Sequence, residues 1–76
     1  MQNNDMKLTR DYIQKFTVPE LDYFRRMCNF TAEERCYFDL KSVDYSNVQI
    51  AMEMHISEST VSKLARKVKS KIIRVI

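Results

Sequence analysis

The residues best suited to chemistry crowd into the last quarter of the chain. Lys63, Arg66, Lys67, Lys69, Lys71 and Arg74 stand there against one carboxylate, Glu58. Residues 57–76 therefore carry a net charge of +5, while residues 1–56 carry −2. Ammonium, guanidinium and hydroxyl groups in this mixture do not make a reaction centre. They neutralise and hydrogen-bond, and a basic segment on a mildly acidic body is the electrostatic footprint of a site for a polyanion. A lysine-rich, merely solvated helix face would have the same composition, so spacing has to separate the two readings.

The spacing is helical and two-sided. Val61, Leu64, Ala65, Val68, Ile72 and Val75 recur as one stripe that faces a core. Ser59, Ser62, Lys63, Arg66, Lys67 and Ser70 fall on the opposite side. A long helix with one dry face and one basic, hydroxyl-rich face suits a DNA major groove, which is about 12 Å wide and admits a single helix.

Other chemistries lack their parts. Cys28, Cys36 and His55 are the only soft metal ligands, with no Cys-x-x-Cys or His-x-x-x-His spacing, whereas a structural zinc takes about four ligands. There is no catalytic triad, and with no glycine in the chain there is no Gly-rich phosphate-cradling loop. The expectation is a protein that is not an enzyme and needs no cofactor. The two thiols are expected to be free, since the polar start "MQNNDMKLTRDY" has no export signal. No apolar run approaches bilayer length, so a soluble, cytoplasmic protein without membrane contact is expected.

Helix-start signals divide the chain. Thr17-Val18-Pro19-Glu20, Thr31-Ala32-Glu33-Glu34 and Ser46-Asn47-Val48-Gln49 each fit a capping box, and Ser57 opens a fourth start without a returning Glu or Gln. Phe16 with Leu21, Tyr45 with Ile50, and Ile56 with Val61 have hydrophobic-staple spacing. Helices are predicted over 18–28, 32–42, 47–54 and 58–73, with Asn29 and Asp44 in the breaks between them. No strand alternation is present. The fold class predicted is all-α, a small four- to five-helix domain. Residues 17–76 form its body and residues 1–16 an arm or short helix. Residues 1–8 are expected to be disordered, and 9–16 to form either a short helix or part of the arm. Tyr23, Phe24, Tyr37 and Phe38 are expected as core and helix-packing residues.

Helices 47–54 and 58–73 are joined by a short turn at residues 54–57. Ala51 supplies the small residue needed where two helices cross, and Ile50, Met54, Ile56, Val61 and Leu64 can lock the pair together. Such a turn needs one positive φ. Glycine adopts it at least cost, and His is among the other residues enriched there. His55 therefore reads as a turn residue.

The stretch from Phe30 to Ile72 resembles the helix-turn-helix shared by LuxR-type regulators and sigma factor region four. Phe30-Thr31 with Glu34, Phe38, Leu40, Ser46-Asn47, Ile50-Ala51, Ile56-Ser57-Glu58, Thr60-Val61 and Lys71-Ile72 carry the likeness, without a gap. Glycine is usual in that family at the positions of Asp44 and His55, and both replacements tolerate positive φ. LuxR-type domains usually add a dimerising helix after this point. Here the additional helix, "PELDYFRRMC", precedes the motif instead, which is closer to region four.

The resemblance implies that the helix from Glu58 reads the major groove, with Glu58, Ser59, Ser62, Lys63 and Arg66 at base edges. Lys67 and Lys69 would touch phosphate, and Ser46 and Asn47 would offer N–H groups to the backbone. Ser46 and Ser57 are at the same time expected to be helix caps. The function expected is a sequence-specific transcriptional regulator whose partner is double-stranded DNA. The second reading is a module docking on RNA polymerase or another regulator. Two apolar sets, Leu8, Tyr12, Ile13 and Phe16 at one end and Ile72, Ile73, Val75 and Ile76 at the other, are expected to meet within one chain or across a homodimer formed through the chain ends.

Overall fold

The computed structural model describes residues 12–76. A 3-10 turn at Ile13–Lys15 leads into four helices: α1 (Val18–Met27), α2 (Ala32–Ser42), α3 (Asn47–Met54) and α4 (Glu58–Val75). The fold is all-α, with no strand among the described residues. No helix among them is long and apolar enough to cross a membrane.

The helices begin where their caps are. Thr17, Thr31 and Ser46 accept from the backbone N–H groups of Glu20, Glu34 and Gln49, whose side chains accept in return from the three cap N–H groups. Each reciprocal pair satisfies two of the donors that a helix start leaves orphaned. Ser57 accepts from the Thr60 N–H at 3.2 Å with no returning side chain, because position 60 is a threonine.

The helix ends rely on left-handed residues. Asn29, Asp44 and His55 have φ of 52°, 73° and 59°. At the end of α3, Ile56 N–H donates to the Ala51 carbonyl and His55 N–H to the Met52 carbonyl. At the end of α2, Tyr45 N–H donates to Leu40 and Asp44 N–H to Lys41. Both patterns are Schellman closures, the usual place for glycine. In a chain without glycine, Asp and His occupy these positions because short polar side chains tolerate the left-handed region best. Asn29 adds a third left-handed residue, which its place in a helix break had only hinted at.

The core is built around α4. Val61, Val68 and Ile72 are completely buried and Leu64 nearly so; they meet Phe38 and Tyr37 of α2, Ile50 and Ala51 of α3, and Phe24 of α1. Ala65, Val75, Met54 and Ile56 pack partly buried against this cluster. The stripe recognised in the sequence is thus the inner face of α4. That helix runs to Val75, two residues past the predicted end, because Ile72 and Val75 still find core to cover.

Of the two forms expected for residues 9–16, a short helix or part of an arm, the described part holds a short 3-10 helix, Ile13–Lys15; residues 1–11, including Leu8, lie outside the described residues. Residues 12–16 are not an arm: Ile13 is fully buried, and Tyr12 and Phe16 pack against the core, with Phe16 stacked on Phe24 at 4.7 Å. Tyr23 is not a core residue. It lies one position from Phe24, on the outer side of α1, and is 43% exposed. The two terminal apolar sets meet inside one chain as far as they are described, since Ile13 and Ile72 belong to the same buried cluster and Phe16 and Val75 pack against it.

Two ion pairs join the helices. Arg25 on α1 donates to Asp39 on α2 at 2.7 Å and to Asp22 at 3.0 Å, and its guanidinium lies 5.7 Å from the Phe38 ring centroid. Lys71 on α4 donates to the buried carboxylate of Glu34 on α2 and, at 3.2 Å, to the Asn29 carbonyl. The same Glu34 oxygen accepts from the Thr31 N–H at 3.0 Å. One carboxylate therefore caps α2 and holds α4.

Candidate nucleic-acid interface

Folding turns the outer side of α4 into one continuous polar surface. Glu58, Ser59, Ser62, Lys63, Arg66, Lys67 and Lys69 are all exposed. A helix rises 1.5 Å per residue, so the step from Ser59 to Arg66 covers about 10 Å, two turns of one side. Ser62, Arg66 and Lys69 form one line at spacings of four and three. Lys63, Lys67, Ser70 and Arg74 form the adjacent line. Both lines follow from helical periodicity alone once the apolar stripe is held in the core.

The cations on this surface are unneutralised. Lys63, Arg66, Lys67 and Lys69 form no salt bridge among the described residues, in contrast to Arg25 and Lys71. Arg66, Lys67, Ser70 and Arg74 rim a shallow cleft of about 280 Å³, with Lys71 and Glu34 beneath. Burial pushes the Glu34 carboxyl up. The Lys71 ammonium, the Thr31 amide and the more distant Lys67 outweigh that and hold it below the usual carboxylate range. Glu34 is thereby committed to Lys71 and placed low in the fold, so it does not cancel the cations above it.

The start of α4 is more constrained than its composition suggests. The Ser57 hydroxyl lies 3.0 Å from the Ser59 hydroxyl and 2.9 Å from that of Thr60. Ser59 therefore stands in a small hydroxyl network at the cap, still exposed. Glu58 occupies the first turn, where a carboxylate also complements the positive end of the helix dipole.

The start of α3 forms a second polar site. The Ser46 N–H is already taken by the Gln49 side chain at 2.8 Å, and the Ser46 hydroxyl by the Gln49 N–H at 3.1 Å. Of the two roles expected for Ser46, the capping box is the one formed, and it uses that N–H. The N–H groups of Asn47 and Val48 have no partner among the described residues. Lys41 reaches this site from the last turn of α2. Its ammonium donates to Asn47 Oδ1 at 3.0 Å and to the Tyr45 carbonyl at 3.4 Å. Gln14, Lys41, Asp44, Tyr45, Ser46, Asn47 and Val48 line an open cleft of about 370 Å³ here. Two unpaired amides and an ammonium at a helix start make an anion-binding arrangement.

Lys41 is the residue the sequence did not disclose. It stands six positions before Asn47 in another helix, and only the tight left-handed turn at Asp44 folds it back. A lysine in the last turn of a helix ordinarily reads as a partner of that helix's own dipole. Arg74, whose charge the sequence shows but whose place it does not, extends the outer line by one more turn of α4.

Among the described residues no three His, Cys, Asp or Glu side chains stand close enough to hold a metal ion. Cys28 is buried, and that burial pushes its thiol up, opposed by Lys71. Comparison of the chain with protein-family models, with curated proteins and with solved structures finds no match.

Proposed function

We propose that this protein is a sequence-specific DNA-binding transcriptional regulator that presents α4 to the major groove. One observation carries the reading: four cations without carboxylate partners stand on the exposed side of a capped helix whose other side is the core. A helix supported in this way is rigid, projects its polar side outward, and matches the width of the groove. Glu58, Ser59, Ser62, Lys63 and Arg66 are the base readers, with arginine and lysine suited to guanine and a carboxylate to the cytosine amino group. Lys67 and Lys69 neutralise phosphates, and Asn47 with Lys41 holds the backbone where α3 begins.

Fluorescence anisotropy with duplex DNA at graded salt tests this. Neutralisation of about four to six phosphates gives a slope near −4 to −5 of log affinity on log salt. Absence of binding to any duplex at about 50 mM salt would remove the proposal. Selection from a random duplex pool would then identify the sequence read.

A second reading draws on α3. Val48 and Met52, four residues apart on its outer side, are 50% and 68% exposed. Exposed apolar neighbours at this spacing suit a groove on another protein, RNA polymerase or a second regulator. Met52→Ser separates the readings, since Met52 lies outside the cleft at the start of α3: the substitution leaves DNA affinity intact and weakens only a protein contact.

A further inference from the structure

Away from the reading residues, α1 and the end of α4 run side by side in opposite directions. They leave two shallow grooves that meet at Val75. The first, of about 390 Å³, is mostly apolar, with Pro19, Tyr23, Phe24 and Ile76 along it and Glu20 at its edge. The second, of about 240 Å³, has Met27 on one side and Arg74 on the other. Tyr23 and Met27 follow at a spacing of four on α1, and with Ile76 they are 43%, 53% and 58% exposed. This strip of apolar surface therefore has a carboxylate at one end and a guanidinium at the other.

We infer that the strip seats a second copy of this chain. A two-fold axis across its middle exchanges the two ends, which sets Glu20 of one copy beside Arg74 of the other, twice, around an apolar centre of Tyr23 and Met27. Self-complementarity of this kind is the requirement of an isologous interface. Arg74 forms no salt bridge within the chain among the described residues, and Glu20 uses one carboxylate oxygen on its own capping box. The reading segment of α4, by contrast, would repel a copy, because Lys63, Arg66, Lys67 and Lys69 stand there against Glu58 alone.

The arrangement deepens the DNA-binding reading and rests on it only for its consequence. Ser62, the middle of the reading residues, lies about 20 Å along α4 from Ile76. Two copies joined near Ile76 hold their reading segments up to about 40 Å apart, a range that includes the ~34 Å of one DNA turn. The partner copy would supply the second half of the site.

Sedimentation equilibrium of the full chain without DNA tests the interface by itself. A dimer mass is expected at high micromolar concentration, with Tyr23→Arg moving the midpoint at least about tenfold higher. Glu20→Lys and Arg74→Glu should each weaken the dimer, and the double variant E20K/R74E should recover it. Circular dichroism monitors folding, because Glu20→Lys also opens the α1 capping box; should that variant unfold, Tyr23→Arg and Arg74→Glu decide the question. A monomer at every concentration, with the strip bare or covered by residues 1–11, overturns the inference. So does a dimer indifferent to Tyr23→Arg, or a folded double variant no better than its parents. Loss of DNA binding would leave the measured mass unaffected, and a monomeric mass would leave the DNA reading in place.

Discussion

Lys71 on α4 reaches back 37 positions to the buried carboxylate of Glu34 on α2. The two ends of this contact are unequal: the Glu34 side chain is 5% exposed and the Lys71 side chain 27%. Removing Lys71 strands a charge with no access to water, whereas removing the Glu34 charge leaves an ammonium that can reach solvent. Lys71→Met is therefore expected to cost about 3 kcal/mol of stability, and Glu34→Gln distinctly less. Urea midpoints of the two variants at neutral pH give the order, and an inverted order would show that stranding the Glu34 charge is not the larger cost.

The same contact sets a pH dependence. The folded-state Glu34 carboxyl lies below its unfolded value, so its contribution to stability is complete above about pH 4.3 and is lost as pH falls through the lower, folded value. In Lys71→Met burial is opposed only by the Thr31 amide and the more distant Lys67, so the folded value moves up. That variant is expected to lose less stability than the parent as pH falls toward 4. Thermal melts of both proteins between pH 7 and 4 compare the slopes.

His55 holds φ 59° and ψ 44° in the Schellman closure of α3. His55→Gly removes the Cβ crowding of that conformation and also loosens the unfolded chain, two effects of opposite sign. A net gain of up to about 1 kcal/mol is expected. A lower denaturant midpoint would show that the imidazole contributes more to the turn than its backbone strain costs.

Arg66→Ala and Lys63→Ala are expected to weaken binding to the preferred DNA sequence by about 1–3 kcal/mol each. Lys67→Ala should weaken binding to preferred and random duplexes alike. Anisotropy titrations on both duplexes separate the classes, and equal losses for all three would mean that α4 contacts only the backbone.

Lys41→Ala probes the residue that folding brings to the start of α3. It should lower affinity for every duplex and make the salt slope shallower by about one unit, with helical content unchanged. An unaltered slope would restrict Lys41 to holding Asn47 and the Tyr45 carbonyl.

Sequence by itself determined the elements and the inner side of α4. Caps and periodicity act over three or four residues, so Thr17, Thr31, Ser46 and Ser57 mark the helix starts wherever the chain later folds. Asp44 and His55 could be assigned to left-handed turns for the same local reason. Val61, Leu64, Val68 and Ile72 could face only one way along a helix, which places Lys63, Arg66 and Lys67 outward without further knowledge. Tertiary structure decided the pairings that cross between helices. Glu34 looks like an ordinary capping-box glutamate, and nothing in its neighbourhood reveals that Lys71 will neutralise it. Lys41 looks like the end of one helix and becomes part of the start of another. Ile13 joins the core although its own turn is only three residues long, while Tyr23, beside the buried Phe24, does not. Each of these depends on which surfaces meet when the helices pack, and that is fixed by burial summed over the whole core rather than by any short stretch of residues.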